Sequence, residues 1–101
     1  MKYITLVCAA GMSTSLLVNK MKEAAEKEGR EAKITAMSEA VFATYKEPTD
    51  VLLLGPQVSY LLDKMKAEYE PKGIKVEVIN MMDYGMMDGK KVLDTAFGML
   101  D

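Results

Sequence analysis

Short, unbroken or alternating apolar runs along this chain are separated by segments in which apolar residues return every three to four positions. The run Tyr3-Ile4-Thr5-Leu6-Val7 is β-branched and nearly continuous, the pattern of a strand buried on both faces. A loop of small residues over 8–15 leads into a helix with Leu17, Met21, Ala24 and Ala25 on one stripe and charged residues elsewhere. Ser13 or Thr14 is its expected N-cap and Gly29 its stop. Residues 32–36 alternate as a half-exposed strand does. Ser38 then caps a short helix through Val41, Phe42 and Tyr45, which ends in the Glu47-Pro48-Thr49-Asp50 turn.

Val51-Leu52-Leu53-Leu54 is wholly apolar and closed by Gly55-Pro56. The next segment places Val58, Leu61, Leu62, Met65 and Tyr69 at helical spacing. After Pro71-Lys72-Gly73, residues 74–78 alternate as a strand, residues 80–89 read as a loop, and a last helix turns Val92, Leu93, Ala96, Phe97 and Leu100 inward.

The order is β-α-β-α-β-α-β-α, which predicts an α/β fold: one domain over residues 1–101, with an open four-stranded parallel sheet and helices on both faces. Strands one and three are apolar throughout, as central strands are, and strands two and four alternate, which favours the order 2-1-3-4. Right-handed crossovers then send the helices after strands one and three to opposite faces, so those strands flank the switch point where ligands bind in doubly wound sheets. The loops there are residues 8–15 and 55–60.

Composition narrows the chemistry. Thirteen basic against fifteen acidic residues, with one arginine, Arg30, set between Glu28 and Glu31, make nucleic acid a poor partner. No apolar run reaches the eighteen or so residues of a membrane span, and the first strand lacks the features of a signal peptide, so no membrane insertion and a cytoplasmic location are expected. One cysteine and no histidine rule out an internal disulfide, a Cys/His zinc site and any His-dependent triad within the chain. Neither a metal nor an organic cofactor is called for by the sequence.

The one cysteine, Cys8, falls in the predicted crevice, between the end of a strand and the positive end of a helix dipole, where negative charge is favoured. Ala9, Ala10 and Gly11 have too little side chain to screen the backbone, so successive N–H groups can wrap a tetrahedral anion. Met12 lies in the same loop, and Ser13, Thr14 and Ser15 add hydroxyl donors. The alternative is that a lone cysteine at a strand end is a small core hydrophobe. The low-molecular-weight tyrosine phosphatases use a similar strand, loop and helix, and the fold expected here resembles theirs, but their Cys-x5-Arg-Ser/Thr pattern is broken by Thr14 at the arginine position. Without that bidentate cation, hydrolysis of a phosphoester is disfavoured, and a relay that holds phosphate briefly is favoured.

Three segments carry a closer resemblance: Cys8-Ala9-Ala10-Gly11-Met12-Ser13-Thr14-Ser15-Leu16-Leu17, Leu53-Leu54-Gly55-Pro56-Gln57-Val58-Ser59-Tyr60, and Val78-Ile79 through Tyr84-Gly85 to Asp88-Gly89. In these the chain resembles the lactose/cellobiose-type IIB components of the bacterial sugar phosphotransferase system. The resemblance implies that Cys8 takes a phosphoryl group from a phosphohistidine of the IIA component and passes it to a β-linked disaccharide, of the lactose, cellobiose or chitobiose class, bound by the membrane-embedded IIC component. Backbone N–H groups over residues 9–14 would hold the equatorial oxygens during in-line attack.

Pro56, Gln57, Tyr60 and Tyr84 are further candidates for the crevice wall or partner contact, against the plainer readings of a strand-ending turn and of tyrosines that pack. Met81, Met82, Met86 and Met87 cluster before the last helix and are expected to fill gaps in the core more than to form a docking surface, whereas Met12 is expected at a partner contact. Lys20, Lys22, Lys64, Lys66, Lys90 and Lys91 read as a solvated face, some of which steers an acidic donor. No linker composition flanks the predicted domain, which is expected to act as a monomer separate from IIC. A cysteine-based phosphatase, a thiol redox protein lacking a resolving cysteine, and a noncatalytic binding module remain as alternatives.

Overall fold

The computed structural model describes residues 1–8 and 12–100, with the backbone alone for residues 12–14. Four parallel strands, β1 (Lys2–Val7), β2 (Ala32–Met37), β3 (Val51–Leu54) and β4 (Lys75–Val78), form one sheet in the order β2-β1-β3-β4. Ile4 of β1 stands in register with Ile34 on one side and Val51 on the other, and Leu52 pairs with Val76. Among the described residues five α-helices follow or separate the strands: α1 (Met12–Lys27), α2 (Glu39–Ala43), α3 (Leu62–Tyr69), α4 (Met81–Gly85) and α5 (Gly89–Leu100).

Alternation along the strands sorts their side chains into two cores. Ile4, Leu6, Val51 and Leu53 face Leu17 and Met21 of α1 and Val92, Leu93 and Ala96 of α5. Val7, Leu52 and Leu54 face the other way, against Phe42 of α2 and Leu61 and Met65 around α3. The central strands are thus covered on both faces, which is why they are apolar throughout. Each fully buried leucine among them contributes about 2 kcal/mol of transfer free energy. Thr5 is the buried polar exception, its hydroxyl 3.0 Å from that of Thr49.

Four local expectations are corrected. Helix α1 begins at Met12, so Ser13 and Thr14 lie in its first turn instead of capping it; a helix start is soft by a residue or two, and small residues at both sites do not mark which one begins it. Helix α2 ends at Ala43, with Ser38 as its N-cap accepting from Val41 N–H at 3.2 Å, so that Tyr45 lies beyond it and Val41 is exposed. The segment read as one helix from Val58 to Tyr69 opens as a 3-10 turn over Pro56–Leu61, with Val58 at φ −118° and ψ 27°, and becomes α-helical only at Leu62. Helical spacing of apolar residues does not distinguish a 3-10 start from an α-helix. The expected loop over residues 80–89 holds α4, whose N-cap Asn80 accepts from Met82 and Asp83 N–H at 2.9 and 3.1 Å. This helix buries Tyr84 alone and so shows no apolar stripe in the sequence.

Candidate functional site

Parallel strands end on the same edge, and β1 and β3 are neighbours, so the segments that follow them meet at the carboxyl edge of the sheet. Backbone hydrogen bonds fix the meeting. Gly55 N–H donates to the Val7 carbonyl at 2.8 Å, and Cys8 N–H donates to the Met37 carbonyl at 3.2 Å. Cys8 therefore follows a strand tied on both sides, and it is 3% exposed. On the far side of β3, Ile79 N–H donates to the Leu54 carbonyl at 2.8 Å, which brings Asn80 and the start of α4 to the same edge.

Gly55 brings the segment after β3 against Cys8. A Cβ built on it would lie 3.4 Å from Cys8 Cβ, 3.6 Å from the Val7 carbonyl oxygen and 2.7 Å from Gln57 Oε1. Pro56 is half-buried beside it, while Gln57 is exposed as a residue yet has its carboxamide folded back over Gly55. No charged residue occurs between Cys8 and Asn19 or between Gly55 and Leu62, so the facing loops are electrically neutral.

The other expected site residues divide. Ala9, Ala10 and Gly11, and the side chains of Met12, Ser13 and Thr14, lie outside the described residues; Ser15 is exposed in the first part of α1. Tyr60 is 77% exposed, whereas Tyr84 is buried among the α1 and α5 side chains. Of the four clustered methionines, Met81, Met82 and Met86 are exposed and only Met87 packs against the core, the reverse of the gap-filling role expected for them. Placing α4 at the carboxyl edge, which the sequence reading missed, is what turns them outward; the Asn80 cap was its one sequence signal.

The lysines expected to form a solvated face are partly engaged. Lys64 pairs with Glu39 at 3.0 Å and Lys90 with Asp94 at 3.0 Å, and in each the hydrogen bond to the carboxylate holds the ammonium above its ordinary range. Burial, reinforced by Glu68 and Glu39, pushes the Tyr69 phenol up as well. These groups belong to helix surfaces and not to the Cys8 crevice. Among the described residues no group of three or more Cys, Asp or Glu could hold a metal ion, and no helix is long and apolar enough to cross a membrane.

Residues 3–95 fit the family described as the PTS system lactose/cellobiose-specific IIB subunit. The oligo-beta-mannoside-specific EIIB component of Bacillus subtilis is 46% identical over 99% of this chain and 97% of its own length. The lactose-specific EIICB component of Streptococcus mutans is 33% identical over 89% of this chain and 16% of its own length. Among solved structures, a cellobiose-specific IIB component from Borrelia burgdorferi is 40% identical with a TM-score of 0.78, covering 97% of this chain and 90% of that one. The lactose-specific IIB domain from Streptococcus pneumoniae superposes with a TM-score of 0.88 at 20% identity, over 99% and 98% of the two chains. A YwlE mutant from Bacillus subtilis shares the fold at a TM-score of 0.59 and 15% identity, over 99% and 94%. With a family model spanning nearly its whole length, this chain belongs to the lactose/cellobiose-specific IIB subunits of the PTS system, which are phosphotransferases.

Proposed function

We propose that residues 1–101 form a single monomeric phosphocarrier domain in which Cys8 bears the phosphoryl group. The donor is a phosphohistidine of a IIA component, and the acceptor is a β-linked disaccharide held by IIC at the cytoplasmic face. The observation that carries this reading is the position of Cys8, the one cysteine in a chain without histidine, at the carboxyl end of central strand β1 and against Gly55 of the facing loop. The oligo-beta-mannoside and lactose specificities in the names of two relatives support a β-linked sugar, and the EIICB relative, which joins the two components, supports IIC as partner.

In the first step the Cys8 thiolate attacks phosphorus in line: the S–P bond forms, the N–P bond of the donor breaks, and its electron pair returns to the imidazole nitrogen. In the second, a sugar hydroxyl oxygen attacks phosphorus, the S–P bond breaks, the thiolate is regenerated, and the hydroxyl proton passes to a base outside this chain. Backbone N–H groups over residues 9–14 stabilise the equatorial oxygens in both steps. The neutral loops suit a group that must leave again, because nothing there holds the phosphoryl dianion as an arginine would.

Intact mass after incubation with a phosphoenolpyruvate-driven cascade and a phosphorylated IIA tests this. The native chain should gain one phosphoryl group, lost again on adding IIC and sugar, and Cys8→Ser should not pass phosphate to sugar. A Cys8→Ser chain fully competent in transfer would overturn the proposal.

A further inference from the structure

The glycine at position 55 is not there for its backbone. Its φ of −62° and ψ of 151° are the extended conformation that any residue adopts before a proline. A Cβ there would meet the Gln57 carboxamide, whose Oε1 lies 2.7 Å from that point and, as the end of a flexible side chain, would swing aside, whereas Cys8 Cβ and the Val7 carbonyl oxygen lie at ordinary contact distances. The end of Gln57 and the side chain of Cys8 thus flank one spot at the carboxyl edge of the sheet. The carboxamide presents an oxygen or an NH2 there by a half-turn about its last bond, since the two ends have the same shape.

We propose that Gln57 is a catalytic residue of the phosphoryl transfer: its NH2 turns toward Cys8 and donates a hydrogen bond to a phosphoryl oxygen, in a space kept open by Gly55. This rests on reading Cys8 as the carrier. Both loops lack charge, so this amide supplies direction without the net attraction of an ammonium or guanidinium. A neutral, single-armed donor stabilises the transferring group and still releases it, as a relay requires.

Gln57→Ala, Gly55→Ala and Gln57→Glu, each with native circular dichroism, test this in the full chain. Phosphorylated IIA is the donor, and rates are read by quenched intact mass. Gln57→Ala should lower the maximal rate of Cys8 phosphorylation by about tenfold or more, as loss of an oxyanion donor does, with little change in KM for the donor. Gly55→Ala should do the same although Gln57 remains, because the new methyl group displaces the carboxamide. Gln57→Glu should be slower than Gln57→Ala at pH 7, where the new carboxylate is ionised and repels the phosphoryl oxygens. The phosphorus NMR shift of phospho-Cys8 in the isolated chain should also move in Gln57→Ala. A raised KM with unchanged maximal rate and unchanged phosphorus shift overturns the proposal and assigns Gln57 to donor docking. So do wild-type rates in both alanine variants, which would leave the carrier reading standing. If the native chain itself gains no phosphate from a donor shown to be phosphorylated, the carrier reading falls, and this inference with it.

Discussion

Gly89 sits directly on the backbone of α1: a Cβ built on it would lie 2.5 Å from the Met21 nitrogen. Helix α5 therefore starts in contact with α1, and its Val92, Leu93 and Ala96 reach the same core as Leu17 and Met21. The requirement here is space, since Gly89 is not among the glycines of positive φ.

Gly89→Ala should therefore lower stability by roughly 3 kcal/mol, the range of overpacking against groups that cannot give way. Gly29 offers the contrast, with φ 67° and nothing within 4 Å of an added Cβ. Gly29→Ala should cost about 1 kcal/mol from backbone strain alone. Urea midpoints of the two variants check the order, and an equal loss in both would refute the close helix contact.

Asp50 and Tyr3 exchange two hydrogen bonds just before β3: Tyr3 N–H donates to the Asp50 carboxylate, and Asp50 N–H donates to the Tyr3 carbonyl, each at 2.8 Å. The pair extends the joint between β1 and β3 by one residue before the start of β3. Asp50→Ala should destabilise by about 2 kcal/mol, and Asp50→Asn, which keeps an acceptor in place, by about 1 kcal/mol. Thermal unfolding of both variants measures the difference.

Asp94 accepts from Lys90 at 3.0 Å and pairs with Arg30 at 2.9 Å, while the Arg30 guanidinium also lies 4.9 Å from the Phe97 ring centre. The hydrogen bond from Lys90, ahead of its charge and that of Arg30, holds the Asp94 carboxyl below the usual carboxylate range. On acidification the unfolded chain takes up this proton first, so the stabilisation is complete above about pH 4 and is lost as pH falls further. The stability gap between the native chain and Asp94→Asn should be present at pH 7 and narrow by pH 3, in urea titrations at low salt. The gap should also shrink with added salt, because the pair is partly exposed. A gap independent of pH would remove the carboxylate from this account.

Met81, Met82 and Met86 are 76%, 71% and 72% exposed, whereas Met21 and Met65 are 0% and 2%. Brief peroxide treatment followed by peptide mapping should find sulfoxide on the α4 methionines well before the two core ones. Equal oxidation at all five would mean that α4 does not present its side chains as described.

The parallel order and the central place of β1 and β3 were legible because both strands are apolar without alternation, a pattern that only two-sided burial explains. The place of Cys8 at the carboxyl end of β1 was legible because the apolar run stops at Val7, while the loop expected after it, residues 9–11, lies outside the described residues. What escaped the reading were features set by contacts distant in sequence. The exposure of Met81, Met82 and Met86 depends on Asn80 starting a helix at the sheet edge, where hydrophobicity alone sends methionine inward. The 3-10 segment over Pro56–Leu61, with its non-helical kink at Val58, was hidden because an apolar residue every third or fourth position fits two kinds of helix. Gly55 and Gln57 are two letters of a strand-ending turn until the fold brings the Gln57 carboxamide over Gly55.

The hydrogen bonds of Val7 and Cys8 to the loops and strands on either side have a further consequence. A sulfur mounted there can travel no farther than rotation about one carbon–carbon bond allows. Carriers built on lipoyl or biotin arms deliver cargo by swinging it between stations. On the proposed role of Cys8 this anchorage permits no such excursion: donor and acceptor must both come to the sulfur, and the precision of the encounter falls to them.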